Sequence, residues 1–85
     1  MDSRKLWRRL VQGDLANVRF SDMLRLAQAC GFVLRRVKGS HHLMAHPEAA
    51  ELINLQQVDG HAKPYQIRQF LRLVERYNLH IEDAS

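Results

Sequence analysis

Apolar residues along this chain recur in two rhythms. From Ser3 to about Gln12, Leu6, Trp7, Leu10 and Val11 fall at three- and four-residue steps, and Arg4, Lys5, Arg8 and Arg9 take most of the other positions. That period predicts a helix with one buried stripe. Ser3 is placed to cap it and Gly13 to end it. Gly13 to Arg19 reads as a connector with a turn at Asn17. A second helix is predicted over 21–30, with Met23, Leu24, Ala27 and Cys30 on its stripe and Leu26 flanking. Ser21 is its expected N-cap, and Asp22 lies in the first turn, where the macrodipole favours an acid. Gly31 closes it. The last helix is predicted over 64–78. Pro64 opens it where a missing N–H costs least. Ile67, Phe70, Leu71, Val74 and Tyr77 form its stripe, and Asn78 terminates it.

Between the second and last helices the period shortens to two. Strands are predicted over 32–38, 41–46 and 52–58. In the first, Phe32, Leu34 and Arg36 point one way and Val33, Arg35 and Val37 the other. After a turn at Lys38-Gly39, His41, Leu43 and Ala45 share one face and His42, Met44 and His46 the other. Pro47 ends that strand, Glu48 to Glu51 form a loop or one helical turn, and Asp59-Gly60 breaks the third strand. Short links of this kind make a three-stranded antiparallel meander. The fold class is α+β: two layers, with the sheet buried on one face under the second and last helices. The expected core holds Leu24, Ala27, Phe32, Leu34, Ile67, Phe70, Leu71 and Val74, and the acidic tail from Leu79 to Ser85 is expected to fray. Apart from the first helix, the α-β-β-β-α order is that of the double-stranded-RNA-binding fold. Order alone assigns no function.

Composition narrows the partners. The 85 residues make one domain, 1–85, with a formal net charge of +4. That charge favours nucleic acid or an acidic protein. The single cysteine, Cys30, allows no internal disulfide and suits a reducing compartment. It reads as a small core residue. No apolar run approaches the roughly 20 residues of a membrane span, and Met1 to Lys5 do not lead into a signal-peptide core. The expected location is the cytoplasm.

Candidate chemistry is concentrated in Gly39-Ser40-His41-His42-Leu43-Met44-Ala45-His46, which holds three of the five histidines and follows Arg35, Arg36 and Lys38. Histidine both gives and takes protons near neutral pH. Imidazoles beside cations point to work on a phosphodiester. A metal site is not expected: His41 and His42 face opposite ways, and the chain has no paired Cys-X-X-Cys and His-X-X-X-His set of the kind structural zinc uses. No cofactor is expected either.

Gly31-Phe32, then Arg36-Val37-Lys38-Gly39-Ser40-His41-His42, then Gln66-Ile67-Arg68-Gln69-Phe70-Leu71 ending in Tyr77-Asn78-Leu79, together resemble the HicA family of toxin ribonucleases. The resemblance runs over roughly 20–79, leaving 1–19 as an N-terminal helix and connector and 80–85 as a tail. It implies a double-stranded-RNA-binding-like fold with an extra N-terminal helix, and the toxin of a toxin–antitoxin pair. It further implies metal-independent endoribonuclease activity on messenger RNA, neutralised by a HicB-type antitoxin. The family's catalytic histidine, in Gly-Ser-X-His, carries onto His42, with His41 in the X position. The family's Pro-X-His element and its Gly-Thr helix start are replaced here by Asp59-Gly60-His61 and Pro64-Tyr65-Gln66, so His61 is only a candidate second histidine. Lys38 and the turn amides of Gly39 and Ser40 are expected to meet phosphate charge. Arg35, Arg36, His41 and Lys63 are the further expected RNA contacts, with Arg68 and Arg72 a secondary pair. The alternative function is a non-catalytic RNA-binding or protein-interaction module on the same fold, separable by activity alone.

Overall fold

A computed structural model describes residues 1–82. Helices α1 (Ser3–Val11) and α2 (Phe20–Ala29) precede strands β1 (Val33–Lys38), β2 (His41–Ala45), β3 (Ile53–Val58) and β4 (His61–Ala62), and helix α3 (Pro64–Arg76) follows. The strands form one antiparallel sheet in the order β1-β2-β3-β4. The α+β class and the helix–strands–helix order are as the periodicity predicts, but the meander has four strands. Asp59-Gly60 does not simply end β3. Both residues have positive φ, 51° and 77°, and Val58 pairs with His61 across them. That is the hairpin geometry Asp-Gly favours, because two left-handed residues match the twist of the flanking strands.

All three helices end alike. Gly13, Gly31 and Asn78 take positive φ just past the last turn. The next residue's N–H returns to the carbonyl five residues back: Asp14 to Arg9, Phe32 to Ala27, Leu79 to Val74. These closures satisfy carbonyls that a helix end otherwise strands. Only at Gly31 does glycine also answer to crowding. A Cβ there would lie 2.7 Å from Glu82 Oε1 and 2.8 Å from His46 Nε2.

The helix starts differ from expectation. Asp2, not Ser3, caps α1, its carboxylate accepting the Arg4 N–H at 2.8 Å. The second helix begins at Phe20, with Arg19 as N-cap and no side-chain cap from Ser21. A tertiary bond replaces the serine: the Phe20 N–H donates to Gly60 O at 2.9 Å, and its ring is buried.

The core lies between the helices and the β2–β4 side of the sheet. Ala27, Phe32, Ile67, Phe70 and Val74 are buried as expected. Leu24 and Leu71 are only half-buried, and Leu34 is 37% exposed. Leu34 sits on β1, away from the main helix contacts, which α2 and α3 make with β3 and β4. In exchange, Leu6 and Leu10 of α1 are fully buried. Each contributes about 1.5–3 kcal/mol by area, which makes α1 part of the core. The expected fraying does not extend through Glu82: Leu79 is buried, and the Glu82 N–H donates to Ala29 O at 2.7 Å. Residues 83–85 of that tail lie outside the described residues. Cys30 is buried, and desolvation, followed by the Glu82 carboxylate, pushes its thiol up to about 11. It is a neutral core side chain.

Candidate functional site

Pleat and pairing decide what each histidine can do. Lys38 pairs with His41, leaving Gly39-Ser40 as a two-residue turn with Gly39 at φ +59°. Glycine at the first central position suits a turn of this hand. From there His42 pairs with Val37 on one side and Leu55 on the other, and His41 with Lys38 and Gln56. Leu55 and Met44 are buried against the helices. His42 is therefore on the helix-facing side, at the rim of the core, and His41 on the open side, as strand alternation requires.

At that rim His42 is held by two contacts. Its ring lies 4.6 Å from the Phe20 ring, tilted by 57°. Its Nδ1 is 3.3 Å from Ser40 O. A carbonyl only accepts, so in this contact Nδ1 is the donor, and in the neutral ring Nε2 is then the nitrogen with the lone pair. Ser40 O also accepts the Gln57 N–H at 2.9 Å, which ties the turn to β3.

Three other histidines are committed elsewhere. His46 is buried; its Nε2–H donates to Cys30 O at 3.0 Å and its Nδ1 accepts the Glu48 N–H at 3.0 Å. With Phe32 edge-on at 5.1 Å, it pins the end of β2 to the end of α2. His41 Nδ1 meets the Asn54 amide on the open face, 3.0 Å from its nitrogen and 3.3 Å from its oxygen. His61 is exposed and donates from Nδ1 to Asp59 O at 2.9 Å. It neighbours Ala62, which is buried, so alternation turns His61 to the open face, away from His42. His61 is thus not brought beside His42.

The cations are also divided. A bulge between Leu34 and Arg36 makes Arg35 the extra residue of β1. Leu34 pairs with Met44 and Val37 with His42, so both share the helix-facing side, and Val33, Arg36 and Lys38 share the open one. The strict alternation expected for β1 is broken there, since a bulge shifts the phase by one residue. Lys38, paired with His41 across the turn, stands on the face opposite His42. Lys63 is the exposed N-cap of α3. It follows Ala62 in the row Ser40–Gln57–Ala62, at the turn end of the sheet. Arg68 is exposed and Arg72 is exposed along α3. None of Arg35, Arg36, Lys38 and Lys63 forms an ion pair among the described residues.

Two features escape linear reading. Phe20 lies 22 positions before His42 and meets it only through folding. Gln66, nearly buried in the first turn of α3, accepts the Gln56 N–H at 2.5 Å. The short β4 leaves that N–H without a strand partner, and the side chain supplies the acceptor. Among the described residues, no three His, Cys, Asp or Glu side chains converge on a point where a metal ion could bind, and no helix is long and apolar enough to cross a membrane.

The family model described as the HicA toxin of bacterial toxin–antitoxin matches residues 20–75. The match spans α2, the whole sheet and nearly all of α3, and leaves out α1. No match was found among curated proteins or among solved structures.

Proposed function

Because the chain belongs to the HicA toxin family, and is thus the toxin of a toxin–antitoxin pair, we propose that it is a metal-independent endoribonuclease acting on messenger RNA in the cytoplasm, with His42 as its proton-transfer group. The observation that carries this reading is the state of the His42 ring. With Nδ1–H directed at Ser40 O, Nε2 is the remaining nitrogen of a half-buried ring, and in the neutral form it carries the lone pair.

The step is transesterification. Nε2 takes the proton from a ribose 2′-hydroxyl as that oxygen attacks phosphorus. The P–O5′ bond breaks, and the leaving oxygen takes a proton from solvent. The products are a 2′,3′-cyclic phosphate and a free 5′-hydroxyl. General base catalysis of this kind supplies about 10²–10⁴-fold in rate. The turn amides of Gly39 and Ser40 are the near donors for the developing phosphorane charge. Arg35, Arg36, Lys38 and His41 contact the flanking RNA backbone from the edge and the open face, and Lys63 does so from the start of α3. An antitoxin of the HicB type silences the toxin by covering the Gly39–His46 surface.

The test uses two RNA oligonucleotides that differ only by a 2′-deoxy sugar at the cleaved position. The protein is expected to cut the all-ribose strand in EDTA and leave the deoxy strand intact at that bond. Binding of both without cleavage of either, over several substrates, would replace the nuclease by a non-catalytic RNA-binding module.

A further inference from the structure

Strand β1 is an open edge. It ends the sheet order, and nothing among the described residues pairs with its outer side. All six of its residues are exposed, and its apolar ones, Val33, Leu34 and Val37, are 53%, 37% and 52% exposed. Natural sheets seldom leave such an edge bare, because its free N–H and C=O groups template pairing with another chain. Hydrogen-bond parity tells which groups are free. Ser40 O bonds to Gln57 N, so even-numbered residues of β2 bond toward β3. His42 and its partner Val37 are therefore a non-hydrogen-bonded pair, and the Val37 N–H and C=O point outward.

Two further features select the occupant. On the open face, Val33, Leu43, Ala45 and Leu52 line a shallow concavity of about 630 Å³, flanked by Arg35 and Arg36. Arg35, Arg36 and Lys38 form no ion pair among the described residues. A second copy pairing β1 against β1 would bring these cations together, and like charges across a strand pair are destabilising. An extended segment with acidic side chains matches both the cations and the free backbone edge.

We propose that the outer edge of β1 is the docking site of an acidic, extended segment of the antitoxin, which joins the sheet as a fifth strand. The inference rests on the reading above that an antitoxin silences this chain, and it specifies how. Main-chain bonds to an added strand supply affinity, and alternate side chains supply specificity. The new strand lies about 4.8 Å outside β1. One set of its side chains reaches the Val33–Leu52 concavity. The other stands beside Leu34 and Val37 on the helix-facing side, where Val37 flanks His42, and narrows the approach of RNA to that ring.

Amide hydrogen exchange on the full chain tests this, with a capped peptide of alternating valine and glutamate, long enough to span β1, as the probe. Saturating peptide is expected to slow exchange at the Val37 amide by about tenfold or more. Val37→Pro removes the outward donor at an edge position that tolerates proline and is expected to abolish binding. The amide readout is made on the wild-type protein and stands even if the proline variant does not fold. Any of five results would overturn the proposal: no binding at millimolar peptide; binding with the Val37 amide still fast; equal protection by the peptide with lysine for glutamate; equal protection by single-stranded RNA; or protection that grows with protein concentration alone. RNA cleavage by the free protein is assayed separately, so its absence would count against the nuclease reading and not against the docking edge.

Discussion

Replacing His42 by alanine separates chemistry from folding. The ring contact with Phe20 is worth about 0.5–1.5 kcal/mol. The Nδ1–Ser40 contact, at 3.3 Å, is long, and its loss strands no acceptor because Ser40 O keeps the Gln57 N–H. The expected stability cost is therefore about 1 kcal/mol, a fall in melting temperature of about 4–8 °C for a domain of this size. The expected loss in cleavage is far larger, about 10²–10⁴-fold, because the proposed base is gone while the cationic edge remains. His41→Ala is the internal control. Its side chain lies on the open face with Asn54, so its loss is expected to weaken RNA binding modestly and spare the rate at saturation. Thermal melting and single-turnover cleavage of one RNA substrate in EDTA measure both quantities. A folded His42→Ala protein that cuts at the wild-type rate refutes the assignment of the base. If His41→Ala is the inactive variant, the reacting phosphate lies on the open face.

Two further outcomes concern the frame around the site. Gln66→Leu leaves the Gln56 N–H without its 2.5 Å acceptor and is expected to cost about 1–3 kcal/mol; Gln66→Glu, which keeps an acceptor, should recover most of it, and equal denaturant midpoints for leucine and wild type would refute the bond's role. Glu51 accepts from the Tyr77 hydroxyl and, at 2.5 Å, from Arg76, and the Tyr77 bond is the first cause that holds its carboxyl below the ordinary 4.5. Its ionised form is thus favoured in the folded protein, so its contribution is present above about pH 4.5 and is lost as pH falls through the lower folded value. Glu51→Gln is expected to flatten the acid side of the stability–pH curve, and an unchanged slope there would show that these bonds do not persist in solution.

Much of this protein is written in short-range pattern. Helical steps of apolar residues mark all three helices, because an apolar stripe must find a core wherever the chain goes. Gly31 and Asn78 mark helix ends, and Pro64 a helix start, because φ preference and a missing N–H act within one residue. The opposition of His41 and His42 follows from pleating alone, and the motif around them carries the family. What the sequence left open depends on partners distant along the chain. Whether Ser21 or Phe20 opens α2 turned on a bond to Gly60. Whether Leu34 is core turned on which strands the helices cross. A single bulge at Arg35 put Leu34 with Val37 on the helix-facing side and Val33 with Arg36 on the open one, and no periodicity announces a bulge. The tautomer of His42 and its contact with Phe20 exist only once the turn at Ser40 and the start of α2 meet at one end of the sheet. Local preferences act over a few residues and are legible in order. Burial, register and the hydrogen bond that fixes a proton are properties of the assembled layers, and the tertiary structure decided them.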